Sequence, residues 1–210
     1  MKIKNSILIG LFLLCFVFTA FAAWDKKPQI RWEQLYRYDL RRDEQDLYIN
    51  RLSAAFDYLN KIEKPLFKVT PFFEIRRNIG RDLWERKELG VEISKDIFPW
   101  LYLGEAIQQG WMKEDYRYDY DVEKRRYAES ETRVLFSHNL LESRYLEIKG
   151  FVLNEYSYDF NRGAGVRNEV AMGIKVSAGK HAEVDIHWRH IDRIHYFDSD
   201  NIEAGLTLIF

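Results

Sequence analysis

Charged and apolar residues alternate along this chain with a period of two. From Ile30 one row reads Ile30, Trp32, Gln34, Tyr36, Tyr38 and Leu40, and the other Arg31, Glu33, Leu35, Arg37, Asp39 and Arg41. A helix would scatter these charges around its circumference, whereas a strand sorts them onto one face. The pattern recurs with Leu52, Ala54, Phe56 and Tyr58 against Arg51, Ser53 and Asp57, and with Phe67, Val69, Phe73 and Ile75 against Lys68, Thr70, Glu74 and Arg76. Further segments follow at Leu89–Ile93, Trp100–Trp111, Ala128–Phe136, Leu146–Glu155, Arg167–Val176 and His181–Arg189, and the last runs from Ile202 to Phe210. Pro71 interrupts the third and predicts a bulge or a pairing gap, because proline cannot donate to a ladder. Polar turns are expected at Lys95–Pro99, Asn139–Ser143 and Ser177–Lys180, and a longer Tyr/Asp-rich loop at Lys113–Lys124. The expectation is an all-β, antiparallel up-and-down barrel of about ten strands, with eight as the alternative because the fourth and fifth segments are weak.

The two ends of the chain carry different signals. Lys2 and Lys4, an apolar run from Ile7 to Phe18 and the small residues Ala20 and Ala22 predict a signal peptide over residues 1–22, leaving residues 23–210 as one barrel domain. The apolar run is short for a spanning helix, which needs about 20 residues. Cys15 is the sole cysteine and lies in that segment, so no disulfide is expected in the mature chain. At the other end, Glu203, Gly205, Leu208 and Phe210 fall in a strand that ends on an aromatic residue. This arrangement resembles the C-terminal signal of outer-membrane barrels. The resemblance implies that the strand is read by the barrel assembly machinery and closes the barrel.

Alternation alone does not say which row faces inward. A soluble lipocalin-like barrel would place the apolar row inside, around a ligand. The terminal strand, the aromatics near strand ends (Trp32, Tyr38, Tyr58, Phe67, Trp100, Phe136, Trp188, Phe210) and the oppositely charged polar rows point instead to a transmembrane β-barrel with apolar residues facing lipid. On the fifth strand Trp100, Tyr102, Gly104 and Ala106 are expected outward, because the other row brings Glu105 into lipid at a cost of about 2 kcal/mol. With Lys2 and Lys4 removed, 30 basic residues face 33 acidic ones, a balance that does not suit a nucleic-acid partner. Trp32-Glu33-Gln34-Leu35 and Pro99-Trp100-Leu101-Tyr102-Leu103-Gly104, with the signal peptide and terminal aromatic, resemble a family of small, uncharacterised outer-membrane β-barrel proteins. That resemblance implies an outer-membrane location in a Gram-negative-type envelope and contact with outer-membrane lipid, and supplies no catalytic residues.

Candidate chemistry is sparse. His181, Glu183, Asp185 and His187 share one row and are weak metal-ligand candidates, with a lumenal hydrogen-bonding ladder from Arg189 across to Glu169, Arg167 and Glu203 as the alternative. A rim hydrolase could draw on His195 with Asp192, Asp198 and Asp200, whereas Ser137 and His138 are adjacent and point to opposite faces. The dominant feature is the inward charge: Arg31, Glu33, Arg37, Asp39, Glu74, Arg76, Glu129, Glu131, Arg133, Arg167, Glu169 and Arg189 are expected to meet as a paired network filling a narrow lumen. No catalytic residue and no cofactor is assigned. The expected role is a non-enzymatic envelope or interaction protein, with a narrow channel, a rim hydrolase and a soluble ligand-binding barrel as successive alternatives.

Overall fold

The computed structural model describes residues 28–41, 44–59, 65–79, 83–113, 124–193 and 198–210. The signal-peptide segment 1–22, His195 and nearly all of the Lys113–Lys124 loop lie outside these residues. Ten strands follow in order: β1 (Gln29–Asp39), β2 (Glu44–Leu59), β3 (Pro65–Asn78), β4 (Leu83–Phe98), β5 (Leu101–Lys113), β6 (Lys124–Glu142), β7 (Leu146–Asp159), β8 (Ala164–Ala178), β9 (Ala182–Arg193) and β10 (Ser199–Ile209). Each pairs antiparallel with the next, and β1 pairs with β10, so the sheet closes into a ten-stranded barrel and the eight-strand alternative falls away. At the seam Arg31 lies opposite Ile209 and Asp39 opposite Asn201. The Phe210 N–H donates to the Ile30 carbonyl at 2.9 Å.

Both ends of the described barrel, Gln29 and Phe210, lie on one side with the β2–β3, β4–β5, β6–β7 and β8–β9 turns; this is the terminal end, and the other connections form the loop end. Gly179 in the β8–β9 turn and Gly163 in the β7–β8 turn have φ of 60° and 67°, a region where a side chain is strained. Two expected turns are shorter than the sequence suggests. β4 continues to Phe98 and β6 to Glu142, because register shifts at Asp96/Phe98 and Asn139/Leu141 carry the ladder through polar residues. Pro71 produces a gap and not a bulge: pairing of β2 with β3 skips from Ser53–Phe72 to Phe56–Val69 with the register unchanged.

The barrel is inverted relative to a water-soluble protein. Leu52, Leu89, Val184 and Ile186 are each more than half exposed, while Glu203 and Asn201 have no accessible surface. The lipocalin-like arrangement is therefore not the one adopted. Aromatics ring the outside at both ends: Tyr58 stacks on Phe67 at 4.7 Å and Trp100 lies between Phe98 (5.2 Å) and Phe136 (6.1 Å) at the terminal end. Tyr36 meets Tyr48 at 4.7 Å towards the loop end. β2 to β9, at 12 to 19 residues each, exceed the 9–11 that cross a bilayer, so several project beyond it.

β5 corrects the sequence reading. Leu103, Glu105 and Ile107 face outward, and Tyr102, Gly104, Ala106 and Gln108 face the lumen. Two interactions account for this. The Tyr102 hydroxyl donates to Glu92 inside the barrel, and the outward Glu105 accepts a 2.6 Å bond from the Thr132 hydroxyl. Small inward residues leave space for bulky neighbours: a Cβ on Gly110 of β5 would collide with the Tyr127 ring, and one on Gly90 of β4 with Phe72.

Replacing Ile186 with Arg places a charge on the lipid face near the middle of β9. It should destabilise the barrel by about 2–4 kcal/mol in phosphatidylcholine vesicles, read from the urea midpoint; on a water-facing site the change would stay within about 0.5 kcal/mol. Glu105→Leu should leave the midpoint unchanged or raise it.

Candidate functional site in the barrel lumen

The inward rows of every strand but β5 bring charges, together of both signs, into a space too narrow for water to solvate each separately. Arg189 on β9 is the centre of the largest cluster. Its guanidinium donates to Glu203 on β10 (3.0 Å), to Glu169 on β8 (2.6 Å) and to Glu155 on β7. Glu203 also accepts from Arg37 across the β1–β10 seam. Arg133 on β6 extends the network, donating to Glu155 (2.6 Å), Glu92 (2.8 Å) and Glu131 (2.8 Å). Arg167 joins Glu131 (3.0 Å) to Glu169 (2.9 Å). A second cluster faces it. Arg86 binds Glu88, Glu129 (2.6 Å) and the Tyr127 hydroxyl, Arg76 binds Glu74 and Glu88, and Arg51 pairs with Glu74 at 2.9 Å while its guanidinium lies 4.1 Å over the Phe72 ring. Shared carboxylates with several donors each suit burial, because an isolated buried charge costs far more than its pairing returns.

The network bridges strands that are not neighbours. Arg86 to Glu129 and Arg133 to Glu92 both connect β4 with β6 over the small inward row of β5. It is also uneven along the axis. Glu88, Glu129, Glu203 and Asp159 in the loop half are buried, whereas the Lys149–Glu147 (3.0 Å) and Lys175–Glu183 (3.6 Å) pairs near the terminal end are partly open to solvent.

The remaining candidates are placed as follows. Arg31 bonds Gln29 (3.0 Å), Glu33 is half-buried opposite Arg51, and Asp39 accepts from the Arg41 backbone (2.9 Å). Of the four metal-ligand candidates, His187 has both ring nitrogens engaged, with Asp185 at 2.8 Å and Glu203 at 2.7 Å, and it packs edge-on against Phe151. His181 instead meets the Ile209 carbonyl at 3.2 Å, and Glu183 faces Lys175. Among the described residues no group of three or more His, Cys, Asp or Glu side chains is arranged to hold a metal ion. Asp200, considered with His195 from the sequence, is held by His190 (2.8 Å) and Arg41 (2.6 Å) on the outer face of the loop end. Ser199, its neighbour in sequence, faces the lumen, on the other side of the wall from this Asp–His pair. In the terminal strand Glu203 and Gly205 point inward, where a Cβ on Gly205 would strike the Asp185 carboxylate, and Phe210 is exposed beside the seam.

Sequence reasoning missed Arg86, Tyr127 and Tyr102. Arg86 and Lys87 are consecutive basic residues, so the row assignment carries no charge contrast there. Tyr127 and Tyr102 were masked by the expectation that aromatics face lipid.

Apolar residues outside, charges inside and a closed ladder define the class: a transmembrane β-barrel of the outer-membrane type. No family model matches the chain, and no curated protein matches it. Solved structures that are similar include a bacterial polysaccharide outer membrane secretin (14% identity, 89% of this chain and 66% of that one, TM-score 0.47). Two others are the NanC porin (13%, 85% and 98%, TM-score 0.43) and the KdgM porin (11%, 87% and 98%, TM-score 0.38). This chain thus spans just under two thirds of the secretin's length.

Arg189→Leu would leave Glu155, Glu169 and Glu203 facing one another without their shared cation. A loss of about 3–5 kcal/mol is expected in urea unfolding of the vesicle-embedded barrel, as for breaking a buried pair; a loss below about 1 kcal/mol would mean the pairs behave as solvated surface bridges.

Proposed function

We propose that this protein is a small outer-membrane barrel whose lumen is closed by ion pairing, and that it acts through its wall and rims as an envelope structural or interaction protein. One observation carries the reading: Arg189 is shared by carboxylates from three other strands, and the fully buried Glu203 ties that cluster to the seam. An aqueous pore lined by such groups would leave them accessible, and a channel selective for one sign would line its path with that sign. The mixed, mutually satisfied rows of this lumen favour closure. Export by the N-terminal segment and recognition of Glu203, Gly205, Leu208 and Phe210 by the barrel assembly machinery belong to the same proposal. The supporting features are the terminal aromatic and the seam that the last strand completes.

A second reading has its own observation. The pairs at Lys149 and Lys175 are partly open to solvent at the terminal end, which would suit a narrow channel gated by the Arg133–Arg189 layer.

The mature chain in planar lipid bilayers separates the two. Closure predicts no stable unitary conductance in symmetric 1 M KCl (a typical recording condition, about 3 Å Debye length). Reproducible unitary steps would overturn the closed-lumen reading and establish the channel.

A further inference from the structure

The outer wall carries one band that its lipid-facing position does not explain. Directly paired positions run Ile75, Lys87, Trp111 and Arg126 across β3, β4, β5 and β6, so the four side chains form one outward rung near the loop end. Lys87, Trp111 and Arg126 are exposed. Arg77, two residues beyond Ile75 on the same strand, adds a further exposed cation. The next outward rung towards the barrel middle is Phe73, Leu89, Gln109 and Ala128, and the one beyond it is Pro71, Val91, Ile107 and Ser130. Cations therefore sit directly above a mostly apolar strip, broken by Gln109 and Ser130, with an indole between them.

We propose that this rung binds the phosphate of an anionic lipid headgroup, with the lipid's chains lying on Leu89, Val91 and Ile107. The inference rests on the membrane-barrel reading and names a partner for its wall. Cross-strand neighbours stand about 5 Å apart, so the long Lys87 and Arg126 side chains reach a common phosphate above Trp111. The indole N–H supplies one more donor. Lys87 and Arg77 are each engaged within the chain; an ammonium has three donors and a guanidinium five, so a phosphate oxygen can be bound beside an existing partner. Charge-assisted bonds to phosphate are stronger than those to a neutral partner. The amphipathic Trp111 ring lies where such rings collect, at the headgroup level. The band is local: cationic side chains at an interface are favoured beside anionic lipid and costly deeper in the wall.

The test uses the mature barrel in mixed micelles of equimolar phosphatidic acid and phosphatidylcholine, with retained lipid counted by native mass spectrometry. The wild-type protein should retain phosphatidic acid about tenfold over phosphatidylcholine. Lys87→Gln with Arg126→Gln should bring the ratio to parity, and Lys95→Gln, at an exposed outward cation near the terminal end, should leave it unchanged. Equal retention by the wild type, a ratio unmoved in the double variant, or the same loss in Lys95→Gln would each overturn the site. Folding is read separately from the heat-modifiable gel shift. A wild-type chain without that shift would sink the membrane-barrel reading itself, whereas a shifted chain without lipid preference would sink only the site. If the double variant fails to fold, Arg126→Gln alone is expected to lower the ratio at least threefold, and no change would count against the site.

Discussion

In hydrocarbon a peptide N–H or C=O that lacks a protein partner has no water to turn to, at a cost of several kcal/mol per group. The pairing of β1 with β10 is the part of this structure that answers that constraint, because an open ten-stranded sheet would present two unsatisfied edges. The inverted partition of side chains depends on it. Once the ladder is closed, one row of each strand is committed to the outside and the other to an enclosed space. The seam is also where side chains reinforce the backbone. Glu203 sits on the last strand, binds Arg37 on the first, and is held from the other side by His187 and Arg189. The strand that ends the chain is thus joined to both neighbours by backbone and by charge.

The enclosed row faces the opposite difficulty, since charges withdrawn from water need nearly complete pairing. Sharing solves it more economically than isolated pairs would: Arg133 and Arg189 both hold Glu155, Arg167 and Arg189 both hold Glu169, and Arg51 and Arg76 both hold Glu74. Such a network is cooperative, so its members stabilise one orientation together and none is readily exchanged for a hydrophobe one at a time. If the lumen is closed as proposed, the surfaces left accessible are the outer wall, the loop end and the partly open pairs near the terminal end.

Much of the architecture was legible from the chain because two faces with opposite solvents leave a period of two. Ile30 to Arg41 shows both rows without ambiguity, and Glu203 to Phe210 shows where the sheet closes. The reading failed where the period lost its contrast. On β5 the inward row after Tyr102 is small or amide-bearing and the outward row contains Glu105, so hydrophobicity favoured the wrong face; Thr132 and Tyr102, which decide it, lie on another strand or bond across to one. Arg86 was hidden beside Lys87 for the same reason. Few of the individual ion pairs were legible. The ladder from Arg189 to Glu169 and Glu203 could be read because those strands adjoin β9, whereas its bond to Glu155 on β7 depends on strand tilt and side-chain reach, which alternation does not give.

The bridges that pass over β5 have a consequence for assembly. An antiparallel pair that slips by two residues keeps its backbone bonds and still sends apolar residues outward, so the wall alone does not detect the error. Gly104, Ala106, Gln108 and Gly110 carry no charge that would report such a slip on β5 itself. Arg86 to Glu129 and Arg133 to Glu92 measure the distance between the two flanking strands, and a misaligned β5 would pull both pairs apart together. The ionic interior therefore works as a proofreading gauge, checking the alignment of a strand whose own inward row carries no charge.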